Sequence, residues 1–298
     1  MGGEKGMTAM STTSYTHDRS RWTAAGADTA ASNTYTSIRS ALEEVERKRN
    51  VEIFLQGSYA NKTNIRADSD VDIVVMTRST FKGAFERLSA SAREEYMALP
   101  TATFTHDDLR QDVTGALVAY YGSDRVHPRN KCIKVDGTAG YVDADVVPAI
   151  EYHWYLDDSD LSRYASGIAI HPQSGGTIIN FPKQHIENGQ IKNELCDGNY
   201  KKTVRQVKHL RNTAVAAGLL RDGVAPGYLL ECMVFNAPAD EFVNDDSKRL
   251  LDVVYWLKSA NKANFWSCDH IHQLFKDDPG KFDVDLAQVI VDALWEAY

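Results

Sequence analysis

The stretch that decides the fold is "FLQGSYANKTNIRADSDVDIVVMT", residues 54–77, in which a Gly-Ser pair precedes an Asp-Val-Asp set into an apolar run. Valine, isoleucine and methionine dominate residues 71–76, which predicts a strand whose side chains alternate with a period of two. Asp70 and Asp72 then point the same way. Carboxylates so close repel each other and lose hydration, which costs stability unless a cation sits between them; hard oxygen donors select Mg2+ or Mn2+. Upstream, "VEIFLQ" (51–56) predicts another strand, with Gly57-Ser58 at its end. A glycine there lets a phosphate approach the backbone, and Ser58 is expected to cap the short turn that follows. The plainer alternative is a hairpin with an acidic bend, since "ADSD" has turn composition. An Asp-x-Asp alone favours that alternative; strand, Gly-Ser, spacer and Asp-x-Asp together are far more specific.

"QGSYANKTNIRADSDVDIVV" resembles the signature of the polymerase-beta-like nucleotidyltransferases. Within that superfamily, Gln56 and "SYANKT" resemble the bacterial cGAS/DncV-like nucleotidyltransferases, relatives of oligoadenylate synthetase. The resemblance implies an α+β, two-lobed fold: a mixed-sheet catalytic lobe, a helical C-terminal lobe and an active site between them. It also demands a third carboxylate on a neighbouring strand. "YVDADVVPAIEY" (141–152) resembles the family's DVxPA pattern, whose metal-binding Asp directly precedes the valine, here Asp145. Asp143 is expected to share its face, and the plainer reading of Asp145 is an ordinary strand-edge acid. By resemblance, Asp70, Asp72 and Asp145 are the catalytic residues and hold two Mg2+ (or Mn2+) ions.

The 298 residues are 43% apolar, enough for a sizeable core. Thirty-three Lys and Arg against forty-one Asp and Glu give a net charge of -8, which argues against a stable nucleic-acid complex but leaves room for a local basic cleft. Cysteines 132, 196, 232 and 268 lie far apart and form no CxxC, as expected of reduced thiols in the cytoplasm. No run is apolar enough for a membrane span, the N-terminus lacks a signal-peptide core, and "MGGEKG" lacks the Ser or Thr of a myristoylation signal, so no membrane partner is expected.

Residues 1–20 lack periodicity and are expected to be a mobile tail, with the catalytic lobe at 21–180 and a helical nucleotide-binding lobe at 181–298. In "SNTYTSIRSALEEVERK" the spacing of Ile38, Leu42 and Val45 predicts a helix capped by Ser32 or Asn33; by resemblance it is a long helix bridging both lobes. Further helices are expected near 80–98 and 107–121. "KCIKVDGTAGYVDADVV" predicts two strands around an Asp136-Gly137 turn, and residues 167–182 a hairpin with Gly175-Gly176 at its tip.

In "NYKKTVRQVKHLRN" (199–212), Val204, Val207 and Leu210 form one helical stripe and Lys201, Arg205 and Lys208 another. A basic helix edge alone is usually a solvated face. Beside the carboxylates, this helix resembles the family's IRxxKxW helix over the nucleotide triphosphate, and Arg205 and Lys208 match its Arg and Lys. "APGYLLECM" resembles the element PSYLLE, whose aromatic stacks on the base, which nominates Tyr228; Gly227 replaces the Ser and puts a hydroxyl contact in doubt. Asn180, at the end of "TIIN", is a candidate base reader, the alternative being that it satisfies backbone groups before Phe181-Pro182. "CDHIHQ" suggests zinc but has no structural-site spacing, and His185 is read as fixing a loop rather than binding substrate.

The resemblance implies an enzyme that joins NTPs, ATP and/or UTP with GTP a further candidate, into a cyclic di- or trinucleotide with release of pyrophosphate. Its place would be antiphage signalling, with an effector that senses the product rather than binding the enzyme. The alternatives are another transferase of the superfamily, making linear oligonucleotides or tailing RNA, and a catalytically silent nucleotide sensor.

Overall fold

The computed structural model describes residues 28–65, 70–276 and 282–298; the expectation for residues 1–20 lies outside them. Seven strands form one mixed sheet: β1 (Val51–Gln56), β2 (Val71–Gly83), β3 (Val126–Pro128), β4 (Ile133–Val135), β5 (Ala144–Tyr155), β6 (Tyr164–Ile170) and β7 (Ile178–Asn180). The order is β1-β2-β5-β4-β3, with β6 on the C-terminal half of β5 and β7 beyond it. Among the described strands β2 and β5 pair in parallel and the other pairs are antiparallel.

Alternation divides β2 between two apolar layers. Val71, Ile73 and Val75 pack with Val146 under α1 (Asp28–Ala41), α2 (Glu43–Arg49) and α5 (His106–Tyr121); Val74 and Met76 join Val147, Ala149, Ile168 and Ile170 on the other face. Asp72, even-numbered like Val74, belongs to this second face.

Several local expectations are corrected. The first helix already covers Asp28, so Ser32 and Asn33 lie inside it, and Asn33 donates to the Gly140 carbonyl at 3.2 Å instead of capping. Ile38 of this helix, Leu42 just after it and Val45 of α2 belong to the first core, so the described part of this segment packs on the sheet. The helix expected from residue 80 starts later: β2 continues past a bulge and pairs Phe81–Gly83 with Glu151–His153, leaving α4 at Ala90–Met97. Tertiary pairing outweighs local propensity there. The Asp136-Gly137 turn widens to the connection 136–143, held by the Gly137 N–H donating to Asp143 Oδ1 at 2.8 Å.

Beyond β7 the chain is helical: α6 (Pro182–Leu195), opened by a proline at its start, then α7 (Asn199–Ala216), α8 (Gly227–Phe235), α9 (Asp246–Ser259) and α10 (Val284–Ala297). Tyr200, Val204, Val207 and Leu210 of α7 pack with Leu229, Leu230, Val253 and Ile290 in a separate core. The short helix α3 (Gly57–Asn61), between β1 and the carboxylate strand, touches both α6 and α8. This contact brings the sheet's second face opposite the helical lobe.

Candidate active site

Strand register assembles the site. Gln56 lies opposite Asp72, Asp72 opposite Asp145, and Asp145 opposite Lys134, so one row crosses four strands on one face. The Asp72 carboxyl is mostly buried and pushed up to about 7, first by burial and then by the charges of Asp145 and Asp70. Lys134 stands beside Asp145 in register, yet its ammonium pairs with Asp143 at 2.8 Å. Asp143 is thus occupied outside the Asp72–Asp145 pair. The Cys132 thiol is driven up to about 12, first by burial and then by the charge of Asp145.

Gly57 explains its own identity. Its φ is +69°, and a Cβ there would stand 2.2 Å from Asp72 Oδ2, so the glycine is needed for the carboxylate to lie against the backbone. Helix α3 starts without a side-chain cap; Ser58 sits inside it rather than capping it, because the extended Gln56 and left-handed Gly57 make the entry themselves.

The donor set fits a hard divalent cation: carboxylate oxygens only, with Asp72 pushed up first by burial and then by the charges of Asp145 and Asp70. Among the described residues no three acidic, His or Cys side chains converge into a closed cage, and Asp70, exposed just before β2, lies outside that row.

The opposite wall comes from the helical lobe. Lys208, 2% exposed, donates to the Thr63 carbonyl at 3.0 Å, and Arg205 donates to the Lys62 carbonyl. The basic stripe is therefore covered, not solvated, and holds the segment after α3. Lys201 is buried too, but its Nζ donates to Gln190 Oε1 at 3.1 Å. Gly227 makes room for Lys208: a Cβ there would meet the lysine Cε at 3.1 Å.

Beneath Lys208 lies a network that the sequence did not announce. Glu231, fully buried, takes Thr63 Oγ1 at 2.9 Å and faces His185 Nε2 at 3.0 Å, while the Asn61 amide touches the same ring nitrogen at 3.2 Å. Burial opposes charge on both groups, but the pairing prevails: Glu231 stays below its ordinary value and His185 above. A glutamate inside the apolar "LLECMVF" was the available signal. His185 also meets the Tyr228 ring edge-on at 5.5 Å, and Tyr228 stacks on Phe282 at 6.1 Å.

The third wall is the "CDHIHQ" segment. Cys268 turns into the core, its N–H donating to Cys232 Sγ at 3.4 Å, and Asp269 accepts from Ser267 Oγ and the Ile271 and His272 amides. The His272 ring lies 5.5 Å from Phe181, next to Asn180. These groups are used by the protein, which leaves no zinc set among the described residues.

Together the walls enclose a cleft of about 860 Å³. Of the candidates, Gln56, Gly57, Ser58, Asp72, Asn180, Lys208 and Tyr228 line it; Asp70, Asp145, Lys201 and Arg205 do not. The Asn180 side-chain amide makes no hydrogen bond to a described residue. His185, Glu231, Asp269 and His272 line the cleft as well.

Comparison with known proteins bears on this geometry. Residues 187–298 match the cGAS/DncV-like nucleotidyltransferase C-terminal helical domain, and residues 38–123 a nucleotidyltransferase domain. The chain is 35% identical to the cyclic UMP-AMP synthase of Rhodothermus marinus over 93% of its own length and 96% of that protein's. It is 32% identical to a cyclic dipyrimidine nucleotide synthase, CdnE, of Legionella pneumophila over 83% of this chain and 84% of that one. Among solved structures, the Rhodothermus marinus CdnE c-UMP-AMP synthase with Apcpp and Upnpp superposes with a TM-score of 0.84 at 34% identity, covering 94% of this chain and 96% of that one.

Proposed function

The chain belongs to the cGAS/DncV-like nucleotidyltransferases, and we propose that it joins nucleoside triphosphates into a cyclic di- or trinucleotide, releasing pyrophosphate at each bond. One observation carries this reading: Asp72, in register with Asp145 and with no ion-pair partner among the described residues, faces buried Lys208 across a cleft large enough for nucleotides. Two Mg2+ or Mn2+ ions, held by Asp70, Asp72 and Asp145, would neutralise phosphate charge and acidify the acceptor hydroxyl.

The protein's own part is positioning. Lys208, with Arg205 behind it, places positive charge opposite the carboxylates, where a triphosphate needs it. Lys201 supports that edge through Gln190. Gln56, Gly57 and Ser58 shape the wall along which the phosphates lie, and Tyr228 offers the base a ring already fixed by His185 and Phe282. We place the catalytic lobe at 21–180 and the nucleotide-binding lobe at 181–298, the chain passing from sheet to helix between Asn180 and Pro182. The enzyme would act in the cytoplasm in antiphage defence, its product read by a separate effector.

Asn180 is the base reader in this scheme, since its amide can both donate and accept and makes no bond to a described residue. With the Rhodothermus relative named for UMP and AMP, UTP and ATP are the first substrates to try. The test is Asn180→Ser, assayed with each NTP alone and in pairs. A shift in base preference with retained turnover is expected; unchanged preference with full activity removes Asn180 from the role.

A further inference from the structure

A second cavity, about 920 Å³, lies beside the cleft, between α5, the end of β2 and the β6–β7 turn. Among its lining residues Lys82 and Arg110 are cationic against the one carboxylate of Asp107, in a protein of net charge -8, and His171 adds an imidazole.

Arg110 is the unusual member. It is 8% exposed and donates through Nη2 to the carbonyls of Arg129 and Cys132, while its buried Nη1 has no hydrogen-bond partner. No carboxylate among the described residues pairs with it. A guanidinium taken out of water without an anion is costly, and two carbonyls do not discharge it. The buried Nε2 of His171 is likewise unpartnered, and burial followed by Lys82 and His106 holds that imidazole below its ordinary value. Among the described residues Lys82 hydrogen-bonds to the Thr177 hydroxyl alone, at 3.4 Å. Asp107 leans toward His106 Nδ1 at 3.6 Å with its side chain 86% exposed, so it leaves Arg110 uncompensated. The turn supplies Gly175 and Gly176, both at positive φ with open space where a Cβ would stand, so the backbone there is open to a ligand.

We propose that this cavity binds a phosphate-bearing small molecule through Arg110 and Lys82, at a site separate from the catalytic cleft. A guanidinium and an ammonium lining one cavity are donors that phosphate oxygens take, and the volume accommodates a nucleotide or a free polyphosphate. Thr177 lines both cavities and immediately precedes β7, so an occupant here adjoins the start of the strand that carries the base-reading candidate. The proposal does not depend on the reading of the cleft.

The test is calorimetric titration of the full chain with inorganic pyrophosphate, and separately with ATP, in EDTA. Without a divalent cation the carboxylate row repels polyphosphate, whereas the second cavity needs no metal, so metal-free binding reports on it. Saturable binding is expected, weakened at least about tenfold in Lys82→Ala and further in Lys82→Glu, with Lys208→Ala leaving it unchanged. Pyrophosphate and ATP binding alike would mean that the polyphosphate is recognised; ATP alone would mean a nucleotide. Arg110→Lys keeps charge but loses the fork, and should weaken binding while thermal unfolding confirms the fold. No binding at millimolar ligand, or binding indifferent to Lys82 and abolished by Lys208→Ala, overturns the proposal.

Discussion

Replacing Asp72 by Asn should stabilise the metal-free protein, in a pH-dependent way. The carboxyl titrates near 3.8 when unperturbed and at about 7 in the fold, where burial and then Asp145 and Asp70 disfavour its charge. Below 3.8 both states are protonated and Asp72 costs nothing; between 3.8 and about 7 the unfolded chain ionises first and the cost accumulates; above that it is complete. About three pKa units correspond to an upper limit of about 4 kcal/mol, of which about 3 kcal/mol accrues between pH 5 and pH 8. Asparagine carries no charge and escapes the penalty. Thermal unfolding of both proteins in EDTA at several pH values reads the difference, which should widen toward pH 8 to a shift on the order of 5 °C in the variant's favour. Adding Mg2+ or Mn2+ at pH 8 should close the gap by stabilising the native protein alone. A variant less stable at pH 8 in EDTA, or a gap independent of pH, would refute the idea of an uncompensated carboxylate.

Gly57→Ala puts a methyl 2.2 Å from Asp72 Oδ2 in a left-handed backbone, so turnover should fall at least about a hundredfold, with unfolding curves separating loss of the site from loss of the fold. Lys208→Ala should raise the NTP KM more than it lowers kcat, since the lysine grips ground and transition states alike, and steady-state kinetics would show an unchanged KM if it merely holds Thr63. The His185–Glu231 pair is fully formed between about pH 4.5 and 6.5; stability should drain away as pH rises through the elevated histidine value or falls through the depressed glutamate value. Glu231→Gln should cost about 3 kcal/mol within that window and less outside it, and denaturant melts showing a pH-independent cost would contradict the pairing.

The carboxylate row was legible because a strand's period of two is stiff: Asp72 had to share a face with Asp70 and with whatever strand paired alongside, and "DADVVPA" supplied that strand. Gly57 was legible as a glycine that something approaches, but not that the visitor includes Asp72 itself, which depends on how α3 turns. The stripe Lys201, Arg205 and Lys208 was read at the right period, yet only the fold shows it covered, because helical spacing says which residues share a face and not what lies over it. Glu231 and His185 sit forty-six residues apart, and Lys82, Arg110 and His171 come from β2, α5 and the β6–β7 turn. Such groups are joined by topology, and no local pattern marks them.

The central claim is tested most directly by incubating the protein with the four NTPs and Mg2+ or Mn2+, treating with phosphatase, and resolving the products by mass. The account predicts a phosphatase-resistant cyclic di- or trinucleotide, with stoichiometric pyrophosphate, that is absent with Asp72→Asn and with Asp145→Asn. Products that are only linear and phosphatase-sensitive, or a cyclic product surviving both substitutions, would contradict it.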